Sequence, residues 1–243
     1  MTSTVAVGSM KVPHRFIAFW MLSWMVPVLI LSGFRFATAS YLLLGWGFAV
    51  TGLLTVAAWF LVALLLSRLL RQYLGRYRIW IAATFFGATI GKLMGAFGHV
   101  WLRWQTNTFI TGNGIPPDWA YEINSTIPIV FDSFISATIL GLMQSLCFDE
   151  PTRQRLLWFS ASSLCGILAA IVSVAIYSPI MRAMIELTSR AILSDGLIAG
   201  LTNSSLIMAV NLTIYGLLTG IVMRWFLLRN MRRREQAVVG QFD

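Results

Sequence analysis

The amino-acid sequence predicts an all-α polytopic membrane protein with about six transmembrane helices. Of its 243 residues, 58% are hydrophobic and 11% are charged, and the mean hydropathy is +0.76. Soluble domains are roughly 45–50% apolar and about 25% charged. A chain this apolar cannot cover itself with polar side chains in water, so its solvent must be lipid. Its net charge of +9 comes from basic residues that flank apolar runs. We therefore expect the partner to be a lipid bilayer and not a nucleic acid.

Six apolar windows are long enough to cross a bilayer, which takes about 20 apolar residues per helix. They are residues 16–34, 42–66, 79–101, 125–147, 156–180 and 206–228. Backbone groups inside lipid must be hydrogen-bonded within their own segment, which predicts helices. The first window is longer than a signal-peptide core of about 7–15 residues, and we interpret it as an uncleaved span. We treat residues 1–243 as one transmembrane domain.

The two ends of these windows differ in basic residues. Most lie at the N-terminus and after the second, fourth and sixth windows: Lys11, Arg15 and residues 68–78, 153–155 and 224–234. The opposite ends carry few, namely Arg35, Arg103, Arg182 and Arg190. Lysine and arginine accumulate on the cytoplasmic side of membrane proteins. We therefore expect both termini to face the cytoplasm.

Two segments on the predicted outer side are not expected to span. Residues 102–124 are polar and aromatic, and they contain Gly114 and Pro116-Pro117, which favour turns. We interpret them as an outer loop. Residues 181–195 place Met184 and Ile185 near one helical face, with Arg182 and Glu186 spaced four residues apart on the other. This pattern predicts a short helix lying in the outer interface.

Three stretches resemble a family of uncharacterised multi-spanning bacterial membrane proteins that is frequent in cyanobacteria. They are "GLMQSLCF" (141–148), "RLLWFSASSLCGILA" (155–169) and "TIYGLLTGIVMRWFLLR" (213–229). They carry the patterns Gly-x-x-Gln-x-Leu and Tyr-Gly-x-x-Thr-Gly. The resemblance implies a multi-pass protein of the bacterial plasma (inner) membrane, or of the thylakoid membrane in a cyanobacterium. It implies no particular activity.

Motifs for catalysis are absent from the sequence. There is no HExxH, no nucleotide-binding Gly-Lys motif and no GxSxG. Cys147 and Cys165 have no metal-ligand spacing. We predict no catalytic residue, no cofactor and no metal site, and a membrane enzyme is the least favoured class.

The third window carries unusual residues for a membrane span. Gly87, Gly91 and Gly95 form a small-xxx-small ladder, which lets another helix approach closely. Lys92 lies beside this ladder, and His99 follows seven residues later on nearly the same face. At about 1.5 Å per residue, Lys92 lies roughly 14 Å from the outer end of its span, and Asp132 roughly 10 Å from the outer end of the next. The matching depths predict an ion pair, which either sets helix register or forms a solute site.

Two functions from different classes fit these observations. The first is a non-enzymatic membrane subunit or scaffold whose small-residue faces pack on partner proteins. The alternative is a small-solute transporter, or its substrate-binding membrane subunit, with an outer-facing polar site around Lys92, His99 and Asp132. In number of spans and position of the termini, the chain resembles the vitamin-binding components of energy-coupling-factor transporters. A cavity lined by these polar residues would favour the alternative, whereas tight side-chain packing there would favour the scaffold.

Overall fold

The structure, a computed structural model, describes residues 12–38, 47–71, 73–74, 77–115, 117–148, 152–189 and 205–239. Within these ranges the chain forms six helices and no strand. They are α1 (Arg15–Thr38), α2 (Gly47–Leu70), α3 (Tyr77–Asn113), α4 (Pro117–Ser145), α5 (Thr152–Ser189) and α6 (Ser205–Val239). The predicted all-α class is confirmed for this part of the chain.

Five helices of the described part, α2 to α6, are long and apolar enough to cross a membrane. Each overlaps one of the predicted spans. The first predicted span, residues 16–34, lies within α1, and residues 42–46 of the second lie outside the described residues. The structure thus agrees with a membrane protein, while the number of spans and the side on which the termini lie stay predictions.

The segment predicted as an outer loop, residues 102–124, is mostly helical. Helix α3 continues to Asn113, and α4 already begins at Pro117. Between them, Gly114 has a φ of 61°, and the Ile115 amide donates to the Ile110 carbonyl over 3.3 Å. This pattern is a Schellman C-cap, which ends a helix within one residue, and proline is well tolerated in the first turn of the next helix. The turn residues therefore mark a tight helical hairpin and not a long loop.

The predicted interfacial helix 181–195 also differs from the structure. Helix α5 runs without a break through residue 180 to Ser189, so residues 181–189 continue the fifth span in the same helix. Residues 190–195 lie outside the described residues. The periodic pattern in 181–189 correctly indicates a helix, but a pattern of this length carries no information about the direction of its axis relative to the preceding span.

The six helices form a closed ring in chain order. Each helix packs against the next one along the chain, and α6 returns to pack against α1. The most extensive of these contacts is between α3 and α4. Near the turn between α3 and α4, Asn124 joins the two helices: it accepts from Thr106 Oγ1 over 2.5 Å and donates to Asn107 Oδ1. A ring of six helices encloses a central space, and side chains must fill it or leave a cavity.

One end of this space is filled by aromatic rings, where α1, α3 and α5 begin. We call these residues the aromatic cluster: Trp20, Trp80, Phe148, Trp158 and Phe226. Neighbouring rings in it have centroids 5.8–6.4 Å apart, three pairs edge to face and three tilted. All five side chains are almost completely buried. The aromatic cluster therefore closes the bundle at the end where the sequence predicts the cytoplasm.

Candidate functional site

A cavity of about 490 Å³ lies inside the ring, beyond the aromatic cluster. All six helices contribute residues to its wall, so it lies between the helices of the bundle and is not a groove between two of them. Its lining includes Trp24, Trp59, Lys92, His99, Asp132 and Asn211. The structure thus brings the three polar residues singled out in the sequence, Lys92, His99 and Asp132, to one cavity.

Lys92 on α3 and Asp132 on α4 form an ion pair at the cavity wall. Lys92 Nζ donates to Asp132 Oδ2, and the two side chains are 37% and 16% exposed. The other carboxylate oxygen, Oδ1, lies 3.2 Å from Ser136 Oγ, which also lies 3.0 Å from the Gly91 carbonyl oxygen. Both oxygens of the carboxylate therefore have a polar neighbour. The lysine keeps two further N–H groups with no acceptor among the described residues.

The glycines of α3 explain how the two charges come so close. Gly87, Gly91 and Gly95 all face α4. A Cβ on Gly91 would lie 2.7 Å from the Ser136 carbonyl oxygen, and one on Gly95 would overlap the Asp132 carboxylate. Real Cβ atoms do not approach other atoms so closely. The ladder thus allows the α3 and α4 backbones to meet, and it places Asp132 within reach of Lys92.

The cavity wall also contains a polar residue that the sequence analysis did not single out. Asn211 on α6 donates from Nδ2 to Ser133 Oγ on α4 over 2.9 Å, and both residues line the cavity. An asparagine within an apolar span is uncommon enough to have indicated this position, because amides in membrane helices bond across to other helices.

Aromatic side chains line the part of the cavity nearest the aromatic cluster. The Trp24 ring packs edge to face against Tyr215 at 5.2 Å and against Trp59 at 6.3 Å. Tyr215 is held in place through its hydroxyl, which lies 2.6 Å from Ser162 Oγ. Trp24 is 1% exposed, yet its indole Nε1 has no hydrogen-bond partner among the described residues. The cavity is therefore amphipathic, with an ion pair towards one end and aromatic rings at the other.

No protein-family model, curated protein or solved structure matches the chain. Within the described ranges, no group of three or more His, Cys, Asp or Glu side chains is placed to hold a metal ion. Cys147 and Cys165 are both buried, and they are not joined by a disulfide. The functional conclusion therefore rests on the helical bundle and its central cavity.

Proposed function

We propose that the protein binds a small solute in the central cavity, either as a transporter or as the substrate-binding membrane subunit of one. The observation that carries this proposal is an ion pair, Lys92 with Asp132, in the wall of a 490 Å³ cavity. Cavities that bind small molecules measure about 300–1,000 Å³ and combine an apolar lining with a few polar groups. An ion pair that only fixed helix register would need no open space beside it, and ionisable residues inside a span commonly mark a functional site.

The scaffold hypothesis has less support from the geometry. It relied on small-residue faces that would pack on partner proteins. The ladder of Gly87, Gly91 and Gly95 is instead covered by α4 of the same chain. Outward-facing positions such as Leu93 and Phe97 are large and apolar, as expected of a helix surface in contact with lipid. The small-residue face is thus used inside the bundle.

The proposal also includes the membrane in which the protein lies and the side of that membrane on which its termini lie. The resemblance to cyanobacterial-type membrane proteins supports the bacterial plasma membrane, and the basic residues support cytoplasmic termini. With that orientation the aromatic cluster lies on the cytoplasmic side of the cavity. The solute therefore enters from the outer side.

A reporter enzyme that is active only in the cytoplasm tests the orientation. Fused after Asp243, or inserted between residues 71 and 78, it should be active. Inserted at Gly114, in the turn of the α3–α4 hairpin, it should be silent, because this turn lies at the opposite end of α3. Activity at Gly114 together with silence at the C-terminus would invert the orientation and place the aromatic cluster outside.

Filling the cavity should abolish solute binding without unfolding the bundle. Met208 on α6 lines the cavity and is only partly buried, so Met208→Trp adds an indole to the open space. We expect the unchanged protein, purified from its native membrane, to release a small molecule on denaturation that mass spectrometry detects. The Met208→Trp protein should release at least tenfold less.

The matched control is Leu217→Trp, on the same helix but exposed on the outer surface of the bundle. This protein should release the same small molecule in the parent amount. If all three proteins release identical profiles, any bound molecule lies elsewhere. If none releases a small molecule, the proposed function loses its support.

A further inference from the structure

We infer that an anionic phospholipid binds in a groove on the outer surface of the bundle, with its phosphate on Arg71 and Arg78 and one acyl chain along α3 where this helix meets α2. The groove has a volume of about 650 Å³ and shares no lining residue with the central cavity. Helix α3 provides most of its lining, and α2 contributes Phe60. The inference therefore assigns a second site, which is independent of any solute in the cavity.

The long part of the groove is apolar and aromatic. Its lining residues there are Phe60, Ile81, Ala82, Phe85 and Phe86. The Phe60 and Phe85 rings meet edge to face with centroids 5.7 Å apart, and this contact joins the two helices. Phe60 and Phe86 are 47% and 54% exposed, so the groove opens towards the surroundings of the bundle. In a membrane these surroundings are acyl chains, which gain dispersion contacts by lying in such a groove.

The length of the groove matches one leaflet of a bilayer. Helix α3 begins at Tyr77, and the groove extends along it to Phe86. At about 1.5 Å per residue, this distance is about 13–14 Å. The hydrocarbon core of a bilayer is about 30 Å thick, so each leaflet contributes about 15 Å. A phospholipid with its headgroup at Tyr77 therefore reaches Phe86 with its acyl chain inside one leaflet.

Two arginines from different segments meet at the head of the groove. Tyr77 and Arg78 line it, and Arg71 directly follows the end of α2. The guanidinium carbons of Arg71 and Arg78 lie 5.8 and 6.0 Å from the centre of the Tyr77 ring, and Arg78 Nε donates to the Tyr77 hydroxyl over 3.4 Å. Both arginines are exposed, and neither forms an ion pair with a described residue. The Tyr77 ring thus brings two positive charges to one end of an apolar groove.

These charges select the headgroup. Arginine binds phosphate oxygens through parallel N–H donors, and basic pockets between membrane helices bind the headgroups of anionic lipids. A zwitterionic lipid carries a cation beside its phosphate, which the two arginines repel. A free phosphate would use the arginines and leave the apolar lining uncovered. Two arginines at the head of a groove as long as a leaflet therefore favour an anionic phospholipid.

Native mass spectrometry of the full chain in a neutral detergent tests the inference with three probes. They are palmitoyl-oleoyl phosphatidylglycerol (an anionic lipid), palmitoyl-oleoyl phosphatidylcholine (the same chains on a zwitterionic head) and glycerol phosphate (a head without chains). Each is titrated at one fixed ionic strength, and the affinity of the first bound molecule is measured. Because one basic side chain contributes about a fivefold preference for anionic lipid, we expect phosphatidylglycerol to bind about 25-fold more tightly than phosphatidylcholine. Glycerol phosphate should bind far more weakly than phosphatidylglycerol.

Removing the arginines should lower this preference in steps. Arg78→Gln should reduce the ratio of the two lipid affinities about fivefold, and Arg71→Gln together with Arg78→Gln about 25-fold. The matched control is Arg229→Gln, which removes the same charge. The Arg229 guanidinium carbon lies 5.3 Å from the centre of the Trp225 ring, so this residue is also an arginine on an aromatic ring, but it does not line the groove. The control should keep the ratio of the parent.

Ala82→Trp tests the apolar part of the groove. Ala82 is exposed and lines the groove, so an indole there occupies the space of the acyl chain without entering the core. It should weaken phosphatidylglycerol about tenfold, which corresponds to the loss of about two buried methylene groups. The matched control is Leu93→Trp, which is exposed on the same helix outside the groove and should bind both lipids like the parent.

Several results would overturn the inference. Equal affinities of the parent for the two lipids would remove the headgroup preference, and equal effects of Arg78→Gln and Arg229→Gln would show a general attraction to basic residues. If glycerol phosphate binds as tightly as phosphatidylglycerol, the site takes a phosphate and not a lipid. If Ala82→Trp binds phosphatidylglycerol like Leu93→Trp, the acyl chain lies elsewhere. Dimers of the parent that Ala82→Trp abolishes would place a second copy of the chain in the groove instead of a lipid.

Discussion

Replacing Lys92 with methionine, with Asp132 left in place, should lower the free energy of unfolding of the purified protein by about 2–3 kcal/mol. The change leaves a carboxylate that is only 16% exposed without its cation. Removing one partner of a fully buried pair costs about 3–5 kcal/mol. We expect less because Lys92 is 37% exposed and water in the cavity screens part of the charge. Thermal unfolding in detergent, followed by circular dichroism, measures the loss.

Removing both charges should restore most of this stability. In the double variant Lys92→Met with Asp132→Leu, no unpaired charge remains and two apolar side chains of similar size take the place of the pair. Asp132→Asn alone should cost less than Lys92→Met, because an amide still bonds to neighbouring groups. If each single variant is as stable as the parent, the pair contributes nothing to the fold.

The double variant also distinguishes the two functions. If the pair only sets helix register, the stable double variant should keep the activity of the parent. If the pair is part of a solute site, the double variant should be stable and should no longer retain the small molecule that co-purifies with the parent. The comparison requires a stable variant, which is why the double change is more informative than either single change.

Adding one methyl group at Gly91 is the second change with a large expected effect. The Cβ of Gly91→Ala would lie 2.7 Å from the carbonyl oxygen and 3.1 Å from the Cα of Ser136, and backbone atoms cannot move aside alone. Helix α4 must therefore shift away from α3, at a cost of about 1–3 kcal/mol for overpacking. The shift also separates Lys92 from Asp132. We expect a lower melting temperature and loss of the co-purifying solute.

The same helix offers a graded set of controls. Gly112 has no atom within 4 Å of an added Cβ, so Gly112→Ala should be neutral or slightly stabilising, because alanine favours a helix by roughly 0.5–1 kcal/mol over glycine. Gly87→Ala should be intermediate, with its nearest neighbours at 3.1 Å. Equal melting temperatures for the Gly91, Gly87 and Gly112 variants would contradict the close packing of α3 on α4.

The sequence predicted much of the polar half of the site from local patterns. Lys92 and Asp132 were paired because their depths match on consecutive antiparallel helices, and depth follows directly from counting residues. The interval of four residues between Gly91 and Gly95 indicated a contact with another helix, because residues four apart lie on the same helix face. Such arguments need only the helical repeat and the limits of an apolar window.

The ends of the helices were harder to predict. Polar residues between 102 and 113 were interpreted as a loop, but α3 continues through them. Once a helix leaves the bilayer, polar side chains no longer argue against it, and packing on the neighbouring helix through Thr106, Asn107 and Asn124 holds the extension in place.

By itself, the sequence determined the class of this protein, a helical bundle in lipid, because composition and the lengths of apolar windows set the solvent and the secondary structure. Only the tertiary structure decided which face of each helix points inwards. Trp24 and Trp225 both lie in apolar segments, yet Trp24 is 1% exposed in the cavity wall and Trp225 is 50% exposed on the outside. In water a helix shows its buried face by being apolar on one side only. In lipid both sides of a helix are apolar. The positions of Trp24, Asn211 and the cavity therefore depend on how the six helices pack on one another, which the sequence pattern does not show.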